Sequence, residues 1–188
     1  MEIPVYKTEG IILKKTDLSD TDRLLTVYTK KFGKILVRAR GVGKKESKLK
    51  SLIEPFNVYE FLLARSKNID VLANSSLIKE FIFLRSNLEN LALAIYFAEL
   101  VDKLVVAPEE DENLWLLITR ATEVLNERRT DLRKIKTAFE QKLLEFLGHP
   151  TFAMQGKSTP LQKTHYFESL AGEEIKSVKF LSPLSLTS

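Results

Sequence analysis

The hydrophobic pattern of this 188-residue chain changes period near Ser76. Before it, apolar and polar residues alternate over short runs bounded by Asp, Ser, Gly, Pro and Asn; after it, apolar residues recur every three or four positions. Alternation belongs to strands with one buried face, and the longer spacing to amphipathic helices. Strands first and helices afterwards make an α+β protein.

Five strands are predicted, over Val5–Lys15, Arg23–Tyr28, Lys34–Arg40, Phe56–Leu63 and Ile69–Asn74. A small isolated sheet leaves its edges open, and closure removes them, so the expected form is a five-stranded OB-type β-barrel, with an SH3-like barrel as the competitor. Three helices follow. Ser86-Asn87-Leu88-Glu89 has the capping-box pattern and opens a helix with Leu88, Leu91, Ala92, Ile95 and Tyr96 on one face. Pro108, followed by Glu109-Glu110-Asp111-Glu112, opens the second, with a stripe of Leu114, Leu117, Ile118, Ala121 and Leu125. The third begins near Asp131, presents Leu132, Ile135, Phe139, Leu143, Phe146 and Leu147, and stops at Gly148 and Pro150. The expected domains are a barrel over 1–78, a helical domain over 79–150 and an irregular tail over 151–188, with a short strand at Ile175–Phe180.

Charge follows the same division. Residues 1–75 hold 15 Lys and Arg against 9 Asp and Glu, whereas residues 76–188 hold 14 against 16. Lys30, Lys31, Lys34, Arg38, Arg40, Lys44, Lys45, Lys48 and Lys50 face one acid, Glu46, a local charge of +8 in a chain of net +4. In the run Lys34–Arg40 the cations Lys34, Arg38 and Arg40 share one side with Leu36, opposite Ile35, Val37 and Ala39. Gly41 and Gly43 then lead into a loop bearing the remaining lysines. Cations of one sign on one strand face suit the phosphates of a nucleic acid. Tyr28, Tyr59 and Phe61 are candidates for stacking on bases, although filling the barrel is the weightier expectation.

Other chemistries find little support. Gly41-Val42-Gly43-Lys44 lacks the earlier glycine of a P-loop, position 38 being Arg. Asp17, Asp20 and Asp22 lack the Gly turn and final Glu of a calcium loop and are expected to cap a hairpin. His149 and His165 stand apart, and the chain has no cysteine, so neither a zinc site nor a disulfide is expected. No nucleophile–base–orienter set emerges, so the expectation is a binding protein without catalysis or cofactor. No apolar run reaches the roughly 18 residues of a membrane span and the N-terminus has no secretory signal, so the expected location is cytoplasmic, away from membranes.

The residues also carry a resemblance. Thr8-Glu9-Gly10-Ile11-Ile12-Leu13, Asp22–Thr29 with Gly33-Lys34, and Ala39-Arg40-Gly41 with Lys44, Lys45, Ser47, Lys48 and Leu49 resemble the RecO family of bacterial recombination mediators. So do Leu52, Pro55 and Phe56, then Tyr96-x-x-Glu99-Leu100, then Leu143-Leu144-x-x-Leu147-Gly148-x-Pro150, all in the family's order. The resemblance implies binding of single- and double-stranded DNA, strand annealing, nucleoid association, and assistance to RecA on DNA coated with single-strand-binding protein, with RecR as partner. It also implies capture of the acidic, apolar-ended tail of single-strand-binding protein beside cations of the helical domain. Candidates are Arg120, Arg128, Arg129, Arg133, Lys136 and the apolar Phe139, with Lys142 farther along. Met154–Thr159 stands where many members carry the first cysteine pair of a zinc module, and Phe167–Gly172 still resembles the stretch between the pairs. A chain stopping at Ser188 is shorter than the usual member, so closing helices are expected to be missing. The alternative function is an OB-fold RNA-binding adaptor without a recombination role.

Overall fold

The computed structural model describes residues 4–43, 53–106, 108–128, 131–151, 159–184 and 186. Five strands close a barrel: β1 (Val5–Asp17), β2 (Arg23–Thr29), β3 (Gly33–Ala39), β4 (Val58–Ala64) and β5 (Asp70–Lys79). Their order is β1-β2-β3-β5-β4, and β4 pairs back onto β1. Every ladder is antiparallel except β3 with β5, which runs parallel through Val37–Asp70 and Arg38–Val71. This is the expected OB-like form. β1 serves two neighbours by curling, with a bulge where the register steps from Ile12–Val27 to Lys14–Thr26. Ile12, Leu25, Val27, Val37, Ala39, Tyr59, Phe61, Leu63 and Leu72 fill the interior, joined by Val42 and Ile53 from the connection between β3 and β4. Each large apolar side chain buried there contributes about 1.5–3 kcal/mol.

The helices are α1 (Ile82–Ser86), α2 (Leu88–Leu104), α3 (Glu112–Leu125), α4 (Leu132–Phe146), α5 (Pro160–Ala171) and α6 (Val178–Leu181), with a 3₁₀ turn at Ser182–Leu184. The chain forms two compact units, residues 1–80 with 106–115, and residues 81–105 with 116–188. In the second, α2 is the central element. Ala92, Leu93, Tyr96, Phe97, Leu100 and Val101 bury most of its circumference, and Phe97 stacks on Phe139 of α4 at 3.8 Å. Leu88, expected on its buried face, is exposed.

Several local expectations are corrected. The N-cap of α2 is Asn87, whose side chain accepts from the Asn90 N–H, because Ser86 is taken up by the preceding helix α1, which sequence reasoning missed. The second helix begins at Glu112, not at Pro108: Asp111 accepts from the N–H groups of Asn113 and Leu114 and so sets the start. The expected strand at Ile175–Phe180 is absent. In its place α5 has a complete capping box between Thr159 and Gln162 with Pro160 in its first turn, and α6 follows. The segment between them is held by Glu99 of α2, whose carboxylate accepts from the N–H groups of Lys176 and Ser177 at 3.0 and 2.7 Å. Burial pulls Glu99 upward, but hydrogen bonds from Ser177, Lys176 and Lys103 outweigh it and hold its carboxyl below the ordinary range. Residues 152–158, which include most of the Met154–Thr159 stretch, lie outside the described residues.

Candidate nucleic-acid interface and partner groove

Strand register decides which barrel residues share a face. Leu25 and Val27 point inward, so Leu24, Thr26 and Tyr28 point outward on β2. Opposite them on β3 stand Arg38, Leu36 and Lys34, and on β1 Thr16 pairs with Leu24 and Lys14 with Thr26. The predicted alternation of β3 therefore holds, and the outer face carries Lys14, Lys34 and Arg38 around Leu36, which is 46% exposed. Arg40 extends the row just past the strand, exposed and with no ion pair among the described residues. Lys14 is not among the cations expected from sequence to share this face. It lies outside the basic stretch and reaches this face only through the bulge at Leu13, which no sequence period reveals.

The hairpin joining β1 to β2 shapes one end of this face. Its three aspartates are in part structural, as expected: Asp17 pairs with Arg23 at 2.7 Å, and the Asp22 carbonyl accepts from the N–H groups of Leu18 and Ser19. Asp22 does more. One carboxylate oxygen takes Nε and Nη2 of Arg38 at 3.0 and 2.7 Å, and the other accepts from the Gly41 N–H at 2.9 Å. The Gly41 N–H first and the Arg38 guanidinium second hold its carboxyl below the ordinary range. Arg38 is thus fixed in place with its charge already compensated.

Lys30 and Lys31 sit in the turn between β2 and β3, exposed and without an ion pair among the described residues. Lys44, Lys45, Lys48 and Lys50 lie outside the described residues. None of the three candidate stacking residues is open: Tyr59 and Phe61 are core, and Tyr28, although outward, is fully buried, with its hydroxyl donating to the Asp111 carbonyl at 3.3 Å. Among the described residues no group of three or more His, Asp or Glu is placed to hold a metal ion, and no helix is long and apolar enough to cross a membrane.

In the helical unit the predicted partner residues divide three ways. Arg120 and Phe139 line one groove of about 200 Å³ between α3 and α4, with Leu117, Ala121, Val124, Ile135 and Ala138 as its apolar wall and Lys142 as the second cation. Arg120 and Lys142, both exposed, each engage an acid three residues on, the half-buried Glu123 at 3.1 Å and the exposed Glu145 at 2.8 Å. Such surface pairs are worth about 0–1 kcal/mol and yield readily to an incoming carboxylate. Arg128 and Arg133 stand elsewhere, in a polar recess of about 330 Å³ shared with Glu89, Glu127 and Asp131. Arg129 lies outside the described residues.

Lys136 is a correction. Its side chain points inward, 8% exposed, and pairs at 2.9 Å with Glu140, 1% exposed. The same Glu140 oxygen accepts from the Tyr96 hydroxyl at 2.8 Å, and the ammonium sits 5.6 Å from the centre of the Tyr96 ring. Burial, then the charge and hydrogen bond of Glu140, push the Tyr96 hydroxyl far up. Lys136 is expected from sequence among the partner-binding cations, but α2 covers that side of α4.

Two family models match successive parts of the chain. Residues 1–81 match the family model for the N-terminal domain of recombination protein O, and residues 85–155 the model for its C-terminal domain. The chain is 33% identical over 145 residues to the DNA repair protein RecO of Pelotomaculum thermopropionicum, which covers 77% of this chain and 56% of the relative. It is 34% identical over 144 residues to the RecO proteins of Desulforamulus reducens and Bacillus pumilus, with the same coverage. The chain thus spans little more than half the length of the relatives it matches.

Proposed function

The chain belongs to the RecO family of DNA repair and recombination proteins, and from that premise we propose that it binds single- and double-stranded DNA through the outer face of its barrel. Annealing of complementary strands follows from holding two polyanions on one positive surface, where each phosphate neutralised releases counterions. In this reading the protein assists RecA to load on DNA coated with single-strand-binding protein, in partnership with RecR, and takes no part in catalysis. The observation that carries the reading is the outer face of β1–β2–β3, where Lys14, Lys34 and Arg38 surround an exposed Leu36 and Arg40 extends the row.

The groove between α3 and α4 supplies the second half of the function. An apolar trough rimmed by Arg120 and Lys142 suits an acidic peptide ending in an apolar side chain, the expected character of the tail of single-strand-binding protein. Recruitment and DNA contact then fall to separate units of the chain.

The test is annealing of complementary strands already coated with single-strand-binding protein, together with affinities for single-stranded DNA, duplex DNA and RNA of equal length. Acceleration of annealing with DNA bound at least as tightly as RNA is expected. Tight RNA binding without annealing replaces this reading with the RNA adaptor.

A further inference from the structure

The segment 106–115 belongs to the barrel unit although it is distant from the barrel in sequence. It is closely fitted there. Gly33, at the start of β3, has φ +60, and a Cβ at that position would overlap the Glu109 carbonyl, so only glycine lets the segment approach. Two residues on, the Asp111 carbonyl takes the hydroxyl of Tyr28. Burial first, then the Asp111 and Glu109 carboxylates, push that hydroxyl up, which places both acids within electrostatic reach of Tyr28. Tyr28 is paired across the ladder with Lys34, whose side chain shares its outer face.

The segment therefore covers an outward aromatic ring beside a cation, the pairing that single-stranded nucleic acid uses on barrels of this kind. It also brings four consecutive acids, Glu109, Glu110, Asp111 and Glu112, to the end of the barrel that carries Lys30, Lys31 and Lys34. The opposite end, at the β1–β2 hairpin, has Lys14, Lys15, Arg23, Arg38 and Arg40 against Asp17, Asp20, Asp22 and Glu54, and Arg40 there is unpaired among the described residues. Exposed charges act on one another over a Debye length of about 8–10 Å at moderate salt, a range that spans the β2–β3 turn.

We infer that residues 109–112 act as a built-in polyanion mimic, which occupies the Tyr28–Lys34 half of the barrel face and confines bound DNA to the Lys14–Arg40 half. The inference rests on the DNA-binding reading above. It makes Lys30 and Lys31, exposed cations of the β2–β3 turn, weak contributors while the acids are in place.

The experiment uses the full chain, a fluorescent single-stranded oligothymidine of about 30 nucleotides and titrations at about 50 and 300 mM salt. Glu109→Gln, Glu110→Gln and Glu112→Gln are combined; Asp111 is kept because it caps α3. This strap variant, neutral at three of the four acids of the 109–112 strap, is expected to bind about three- to tenfold more tightly at low salt, with the gain shrinking at high salt. Lys30→Gln with Lys31→Gln is expected to change affinity less than about twofold in the parent and several-fold in the strap-neutral background. Glu89→Gln, Glu127→Gln and Glu174→Gln together, in the helical unit, control for net charge and are expected to give the smaller gain. Parent-like binding by the strap variant overturns the inference, as does an equal cost of the lysine changes in both backgrounds or an equal gain in the control.

Elution from immobilised heparin separates the two readings. A parent that ignores the oligonucleotide, with a strap variant that elutes from heparin at higher salt than the control, removes the DNA reading and keeps the mimic. Oligonucleotide binding indifferent to the strap removes the mimic alone.

Discussion

Asp22 and Arg38 stand sixteen residues apart and are joined by two hydrogen bonds from the guanidinium to one carboxylate oxygen, while the other oxygen holds the backbone of Gly41. The pair ties the hairpin to the exit of β3, so the carboxylate organises the cationic face that it partly neutralises. Because the carboxyl lies below its ordinary range, its contribution to stability is complete above the unfolded pKa of about 3.9 and is lost as pH falls through the folded value. Melting temperature followed from pH 7 downward is expected to fall more steeply below about pH 4 for the parent than for Asp22→Asn. Equal slopes would mean that Asp22 is not the group titrating.

Arg40 is expected to matter more to DNA than Arg38, since Arg38 must leave Asp22 before meeting a phosphate. Three to five phosphate contacts on duplex DNA give a log–log salt slope of roughly −3 to −5. Arg40→Glu is expected to lower affinity and flatten that slope by about one or more. The triple reversal of Arg38, Arg40 and Lys44 to Glu is expected to remove most of the affinity with the fold intact. Unchanged binding by the triple variant would place the DNA site elsewhere.

A labelled acidic peptide ending in phenylalanine reads the groove between α3 and α4. Arg120→Glu and Lys142→Glu are each expected to weaken it by about 1 kcal/mol, roughly five- to tenfold, the cations being exposed. Arg38→Glu is the control and is expected to leave the peptide untouched. The opposite pattern would move the peptide to the barrel. Arg133→Glu reports on the separate polar recess, and a loss there alone would make that recess the site.

Lys136 is unsuited to the same test. Removing one member of a buried ion pair strands the other and costs about 3–5 kcal/mol, so Lys136→Met and Glu140→Gln are expected to show large losses in urea denaturation. Glu140 already has its second oxygen, Oε2, without a protein donor, which leaves little to compensate further loss. A double variant, Lys136→Met with Glu140→Leu, is expected to recover much of the stability. Single variants as stable as the parent would show that the pair is hydrated in solution.

Glu99→Gln is expected to loosen residues 172–181 from α2, seen as faster hydrogen exchange at the amides of Lys176 and Ser177, at a cost of about 1 kcal/mol. Unaltered exchange would mean that packing of Ile175 and Leu181, not the carboxylate, holds the segment.

Where local chemistry decides structure, the sequence was a good guide. The alternation over Lys34–Arg40 gave the correct outer face, and Asp131 and Gly148 marked the ends of α4 because capping depends on a few adjacent residues. The misses share a different cause. Lys136 reads as a surface cation until α2 is laid over it, Tyr28 is buried by a segment more than 80 residues away, and Lys14 joins the basic face only through a bulge. The C-terminal helices were lost to polar composition, since α5 buries little beyond Phe167 and relies on its capping box instead. The groove was half legible. Spacing along α4 brought Phe139 to notice, but its apolar wall is shared with α3, and no helical period states which faces will meet.

The parallel seam between β3 and β5 has a kinetic consequence. Only Val37–Asp70 and Arg38–Val71 join it, across 33 positions of chain, whereas the still more distant β1–β4 ladder has seven pairs to reward its closure. Loop-closure entropy must be met before such contacts return anything. The four antiparallel ladders are therefore expected to assemble first and the seam to zip last, and in the native state the seam is the line along which the barrel is expected to open most readily. The strand at that seam is the one bearing Arg38, so under the proposed DNA-binding reading breathing of the barrel and engagement of a nucleic acid act on the same piece of backbone, and a bound strand that bridges β3 to its neighbours is expected to slow unfolding as well as shift its equilibrium.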